Sequence, residues 1–158
     1  MVSLEGEADF GVTTLHDSDP ALSATRLASD RFGLVCHRDH PLAAGKTPVS
    51  TAELAACAFV GLTRLNGVRV ILEADRRLPE AARRPAYEVS DVPLLAPLIE
   101  QGVGVALLPS MAARSIARPS LVFRPLAAMM QRHIYFIRLR GRSLAPAAHA
   151  LVSCPGNT

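Results

Sequence analysis

Apolar positions along the chain fall into short runs bounded by polar turns, and their spacing switches between continuous, alternating and helical. The clearest unit is the stretch from Val89 to Pro109, VSDVPLLAPLIEQGVGVALLP. It predicts the end of a strand, a polar turn at Ser90-Asp91, an apolar helix from Val92 to Gln101 and a strand from Val103 to Leu108. Ser90 or Asp91 can cap that helix through a side-chain oxygen, and Pro93 suits a first turn, where a missing N–H costs nothing. Gly102 suits the left-handed position that ends many helices. Pro97 is the discordant residue, because an interior proline removes one hydrogen bond and kinks the axis. The run of Val103, Val105, Ala106, Leu107 and Leu108 predicts a strand covered on both faces, stopped by Pro109.

The rest of the chain alternates in the same way. Ala8 to Val12 predicts a strand, and ATRLASDRFGLVC, from Ala24 to Cys36, predicts two strands around a turn at Ser29-Asp30-Arg31. His37-Arg38-Asp39-His40-Pro41-Leu42 follows at once. Ser50, with Glu53 three residues on, has the form of a capping box at a helix start. Ala58 to Leu62 predicts a short strand, Thr63 to Gly67 a loop, and Val68 to Leu78 a helix with Val68, Ile71, Leu72 and Asp75 on neighbouring turns and Arg69, Arg76 and Arg77 towards solvent. Arg83-Arg84-Pro85 reads as a linker and Ala86 to Val89 as a strand. Ser110 to Ala117 predicts a helix, Leu121 to Leu126 and His133 to Leu139 strands, and Ala145 to Leu151 a terminal helix.

Strand-helix-strand units with buried strands define an α/β fold, an open sheet with helices on its faces. Such sheets take ligands beyond the carboxyl ends of strands, near helix N-termini. Thr63 stands at such a place, after one strand and before one helix, and Ser90 stands at a second. Arg64 can supply charge to a carboxylate or simply lie exposed on the surface.

Composition narrows the function. At 158 residues, with 49% hydrophobic and 20% charged, the chain suits one ordinary domain or two small lobes and has the composition of a globular protein. The net charge is +3, and the arginines are scattered in ones and twos, which reads as a solvated surface and not as a DNA-binding stripe. With aromatic residues at 4% and no Trp, base stacking is not a main activity. Cys36, Cys57 and Cys154 lie in unrelated contexts, and an odd count of this kind points to a reducing compartment. Cys36, His37 and His40 offer metal-ligand chemistry but have no second cluster to converge with, so no metal or other cofactor is expected. There is no signal-like N-terminus and no segment near the roughly 20 apolar residues that span a bilayer, so no membrane role and a cytoplasmic location are expected. No G-x-S-x-G elbow is present, and Gly102-x-Gly104 precedes a strand where a dinucleotide loop follows one, so catalysis is not expected.

Leu98-Ile99-Glu100-Gln101-Gly102, followed by Gly104-Val105-Ala106-Leu107-Leu108-Pro109, resembles a segment of the effector-binding domain of LysR-type transcriptional regulators. Three further matches follow in the family's order: Gly6 to Val12; Phe32 to Cys36 running on to Asp39-His40-Pro41-Leu42-Ala43; and Arg140 to Ala148. The resemblance implies a two-lobed, periplasmic-binding-protein-like (type 2) fold. It divides the chain into a partial first lobe at 1–32, a second lobe at 33–110 and a return segment at 111–158, with the first lobe incomplete. It also implies a small organic anion as effector, with Thr63 contributing from the second lobe and Thr14 from the first, where the alternative for Thr14 is a threonine that caps a turn; Ser90 stays a candidate by its place before a helix. The family's helix-turn-helix does not occur in this sequence, so DNA is expected as a partner only through such a domain. Unpaired apolar strand edges point to a homo-oligomer. A solute-binding protein of the periplasmic type, which shares the fold, is the alternative.

Overall fold

The structure is a computed structural model that describes residues 10–14, 20–128 and 130–141. Contacts divide the chain into two units, one formed by the residues up to Ser29 together with those from His133 onward, the other by Asp30–Arg132.

In the first unit, β1 (Gly11–Thr13) pairs antiparallel with β7 (Gln131–Leu139), Val12 standing opposite Phe136, and β7 pairs in turn with β2 (Leu22–His37). The Phe10 and Phe136 rings stack at 5.2 Å between centroids, and Phe136 and Ile137 are buried. The Arg140 amide donates to the Ala21 carbonyl. The terminal helix expected at Ala145 to Leu151 lies outside the described residues.

The second unit carries most of the core. β2 pairs antiparallel with β5 (Ala106–Pro109) on one side and β6 (Leu121–Pro125) on the other, Leu34 standing opposite both Leu107 and Arg124. β3 (Val60–Leu62) joins β5 through a parallel bridge at Phe59 and Val105 and pairs parallel with β4 (Tyr87–Val89). The resulting order, β4-β3-β5-β2-β6, brings together strands far apart in sequence. α1 (Thr51–Leu54), α2 (Gly67–Ala74), α3 (Glu80–Arg83), α4 (Leu95–Glu100) and α5 (Ser110–Ser115) connect them. Leu34, Leu54, Leu95 and Ile99 are almost wholly buried, and each such side chain contributes about 1.5–3 kcal/mol through burial.

Most expected elements are present, and the exceptions have physical causes. β2 is one strand of 16 residues, so the turn expected at Ser29-Asp30-Arg31 does not exist. Asp30 is buried because it accepts hydrogen bonds from the Ser110 hydroxyl at 2.8 Å and the Met111 amide at 3.2 Å, and its carboxylate pairs with Arg132 at 3.1 Å. A polar triplet that signals a turn in isolation is here held extended by partners some eighty and a hundred residues away. The segment boundaries expected from the sequence differ from the contact division in the same region. Residues 111–132 stay with the second unit, since β6 pairs with residues Gly33 to His37 of β2.

The capping box of α1 forms as expected: Glu53 donates its amide to Ser50 Oγ and accepts from the Ser50 amide at 2.8 Å. The Gly-x-Gly of the 102–104 segment has two separate reasons. Gly102 takes φ +71, and a Cβ on Gly104 would stand 2.8 Å from the Ala58 carbonyl oxygen, where β5 and β3 meet. The helix expected from Val92 to Gln101 begins as a 3-10 turn at Val92–Leu94 and becomes α4 at Leu95. Neither Ser90 nor Asp91 caps it, because the Ser90 hydroxyl donates to the Asp91 carboxylate at 2.9 Å instead. α2 stops at Ala74, short of Leu78, and the first residue of the expected linker at residues 83–85, Arg83, belongs to α3.

Candidate functional site

β3 and β4 run parallel in register, Leu62 beside Val89, so both end on the same edge of the sheet. Thr63 and Ser90 are the next residues on each. The Thr63 amide donates to the Val89 carbonyl at 3.0 Å, which fixes one loop against the end of the other strand. Thr63 is half-buried, and its hydroxyl has no hydrogen-bond partner among the described residues. Ser90 is exposed.

The chain then turns directly into α2. Asn66 accepts from the Val68 amide through its side chain at 2.9 Å, while its own amide donates to the Thr63 carbonyl at 3.0 Å. That cap satisfies one of the amides that every helix start leaves unpaired. Arg64 and Leu65 fill the loop between, Arg64 with 67% of its side chain exposed and Leu65 at 99%. Arg64 pairs with Glu73 at 3.4 Å, so it carries its own counter-ion at the surface.

Three of the expected ligand residues, Thr63, Arg64 and Ser90, therefore share one sheet edge in the second unit. Thr14 follows β1 in the first unit and is half-buried there.

Below this edge lies a group that periodicity missed. Arg69 was expected to point to solvent, but it is 2% exposed. Its guanidinium donates from Nη1 to Glu88 Oε1 at 2.7 Å and to the Leu62 carbonyl at 3.3 Å, while Nε, also buried, has no hydrogen-bond partner. Arg69 follows Val68 on the flank of the apolar stripe of α2, and its carboxylate partner comes from β4, 19 residues on. A helical wheel has no knowledge of that strand. The one available signal was the single acidic residue, Glu88, in the strand now seen beside it.

The groups that suggested metal chemistry are engaged elsewhere. His37 Nδ1 and His40 Nδ1 accept from the Asp39 and Leu42 amides, so both rings are used in building the turn at residues 37–43. No group of three or more His, Cys, Asp or Glu that could hold a metal ion occurs among the described residues. Burial pushes the Cys36 and Cys57 thiols up, with Arg124 pulling Cys36 part of the way back, so neither is disposed to form a thiolate.

A sheet with parallel strand ends at one edge, helices on its faces and a second strand-built unit has the architecture of an α/β small-molecule-binding domain. The family model described as "LysR substrate binding domain" matches residues 3–154, and the chain belongs to that family. It is 30% identical over 148 residues to YbhD of Escherichia coli (strain K12), an uncharacterized HTH-type transcriptional regulator, covering 90% of this chain and 45% of that protein. The chain thus spans about half the length of this curated relative. The BenM effector-binding domain with its effector benzoate is 26% identical with a TM-score of 0.74, covering 93% of this chain and 67% of that one. The regulatory domain of CcmR from Synechocystis PCC6803, solved in complex with 2-PG, is 20% identical with a TM-score of 0.74, over 92% of this chain and 71% of that one. The fold is the periplasmic-binding-protein-like type 2 fold of these effector-binding domains. The family is one of transcriptional regulators, and no helix among the described residues is long and apolar enough to cross a membrane.

Proposed function

We propose that this domain binds a small organic anion at the carboxyl edge of β3 and β4, with Thr63 as the central contact, Arg64 supplying charge and Ser90 a second hydroxyl. The observation that carries this reading is the Thr63 hydroxyl, without a partner among the described residues at the point where two parallel strands end and α2 begins. Helix starts and strand ends of this kind favour negative charge. Leu65, almost fully exposed beside Arg64, adds an apolar surface that an organic anion can use and an inorganic one cannot. BenM carries benzoate, a small carboxylate, as the effector of the corresponding domain, which supports the same class here. In a longer regulator, anion binding acts by shifting the balance between domain arrangements, and so the placement of attached DNA-binding domains. The setting proposed is a cytoplasmic homo-oligomeric regulator without catalytic activity.

The test is a thermal melt of the chain with benzoate, 2-PG and a panel of related carboxylates, since a ligand of the native state raises the transition by mass action. One compound should raise it, and Thr63→Val should remove that response while leaving the ligand-free melt within about 0.5 kcal/mol of the original stability, as surface substitutions usually do. A response that persists undiminished in Thr63→Val places the ligand elsewhere.

A further inference from the structure

Glu73 stands between two arginines with different needs. Its Oε1 is 3.4 Å from Nη2 of exposed Arg64, and its Oε2 is 3.6 Å from Nε of buried Arg69. The second distance is an ion-pair contact but too long for a hydrogen bond, and Arg69 Nε has no other partner. A buried donor left unmade is costly, and here the carboxylate nearest to it, Glu73, is also paired with Arg64. Arg69 in turn donates to the carbonyl of Leu62, the last residue of β3, and to Glu88 on β4, so any change at its guanidinium is felt at the strand ends that carry Thr63 and Ser90.

We propose that Glu73 is a positioning residue shared between the two arginines: an anion that takes Arg64 releases Glu73 to hydrogen-bond Arg69 Nε, which couples occupancy of the site to the fastening of α2 against β3 and β4. This rests on the anion-binding role given to Arg64 above. No bond is made or broken beyond these hydrogen bonds. Before binding, one carboxylate serves two cations imperfectly. Once the ligand's carboxylate serves Arg64, each cation has its own partner.

The coupling can be read without a ligand. In a sample with nitrogen-15 arginine, the Arg69 Nε–H signal, assigned by its absence in Arg69→Met, reports directly on that hydrogen bond. Arg64→Ala removes the competitor from an exposed position, so its melt should rise slightly as Arg69 Nε gains a partner. The Arg69 signal should move downfield, and its exchange with solvent should slow about tenfold, the factor to which about 1.4 kcal/mol corresponds. Adding Glu73→Gln to Arg64→Ala should reverse the movement. Benzoate or 2-PG added to the unaltered chain should mimic Arg64→Ala and do nothing more in that variant. An Arg69 signal that does not respond to Arg64→Ala overturns the sharing of Glu73, whatever the domain binds. A signal that responds to Arg64→Ala but not to a carboxylate of the panel that raises the melt overturns the coupling to ligand, and with it the role of Arg64 as a ligand contact.

Discussion

Two buried charged groups lie in the same unit, Asp30 within β2 beside the start of α5 and Arg69 on α2 beside the ends of β3 and β4, and they are finished to different degrees. At the end of β5, Asp30 is wholly enclosed and accepts from the Ser110 hydroxyl, the Met111 amide and the Arg132 guanidinium, so the start of α5 already holds an anion, supplied by the chain itself. Beside the end of β3, Arg69 is equally buried, but its Nε is without a hydrogen-bond partner among the described residues and its carboxylates reach solvent. A buried polar network that is fully satisfied holds its surroundings in one arrangement, whereas a partly satisfied one leaves a second arrangement within reach. The contrast marks the α5 edge as closed by the chain itself and leaves the α2 edge open for the anion site proposed above.

The contrast can be broken most severely at Asp30. Asp30→Ala strands the Arg132 charge and uncaps α5 at once, and should cost about 3 kcal/mol, the scale found when one partner of a buried pair is removed. The measurement is urea unfolding of the two chains at matched slope. Ser110→Ala removes one of the donors while Met111 and Arg132 remain, and should cost about 1–2 kcal/mol by the same assay. Arg69→Met should cost about 1 kcal/mol or less, because a flexible apolar side chain fills the space and Glu73 and Glu88 are both solvated once freed. If Arg69→Met proves as damaging as Asp30→Ala, the two edges are not different in kind and the assignment fails.

Much of this was legible from one sequence. Strand and helix order, the α1 capping box, the reason for Gly102 and the position of Thr63 at a strand end all follow from interactions within a few residues, which sequence spacing encodes directly. The family resemblance carried by residues 98–109 rests on local geometry too, a helix end and a close strand approach. Failures cluster where a charged residue has a distant partner. Ser29-Asp30-Arg31 has the composition of a turn, and only Ser110 and Arg132 make it a strand. Arg69 has the position of a surface arginine, and only Glu88 and the Leu62 carbonyl bury it. Ser90 has the chemistry of a cap, and only the neighbouring Asp91 carboxylate, in the geometry of that turn, takes its hydroxyl away.

The sequence by itself thus determined the alternation of elements, the α/β class and the candidate edge, because hydrophobic periodicity, caps and glycine conformations act over one or two turns of chain. Tertiary structure alone decided which charges are buried, which helix start is already filled and which buried donor is left unmet. The physical reason is desolvation: a charge can leave water only when its partners arrive with it, and for Asp30 and Arg69 those partners come from strands and helices that folding, not sequence proximity, brings alongside.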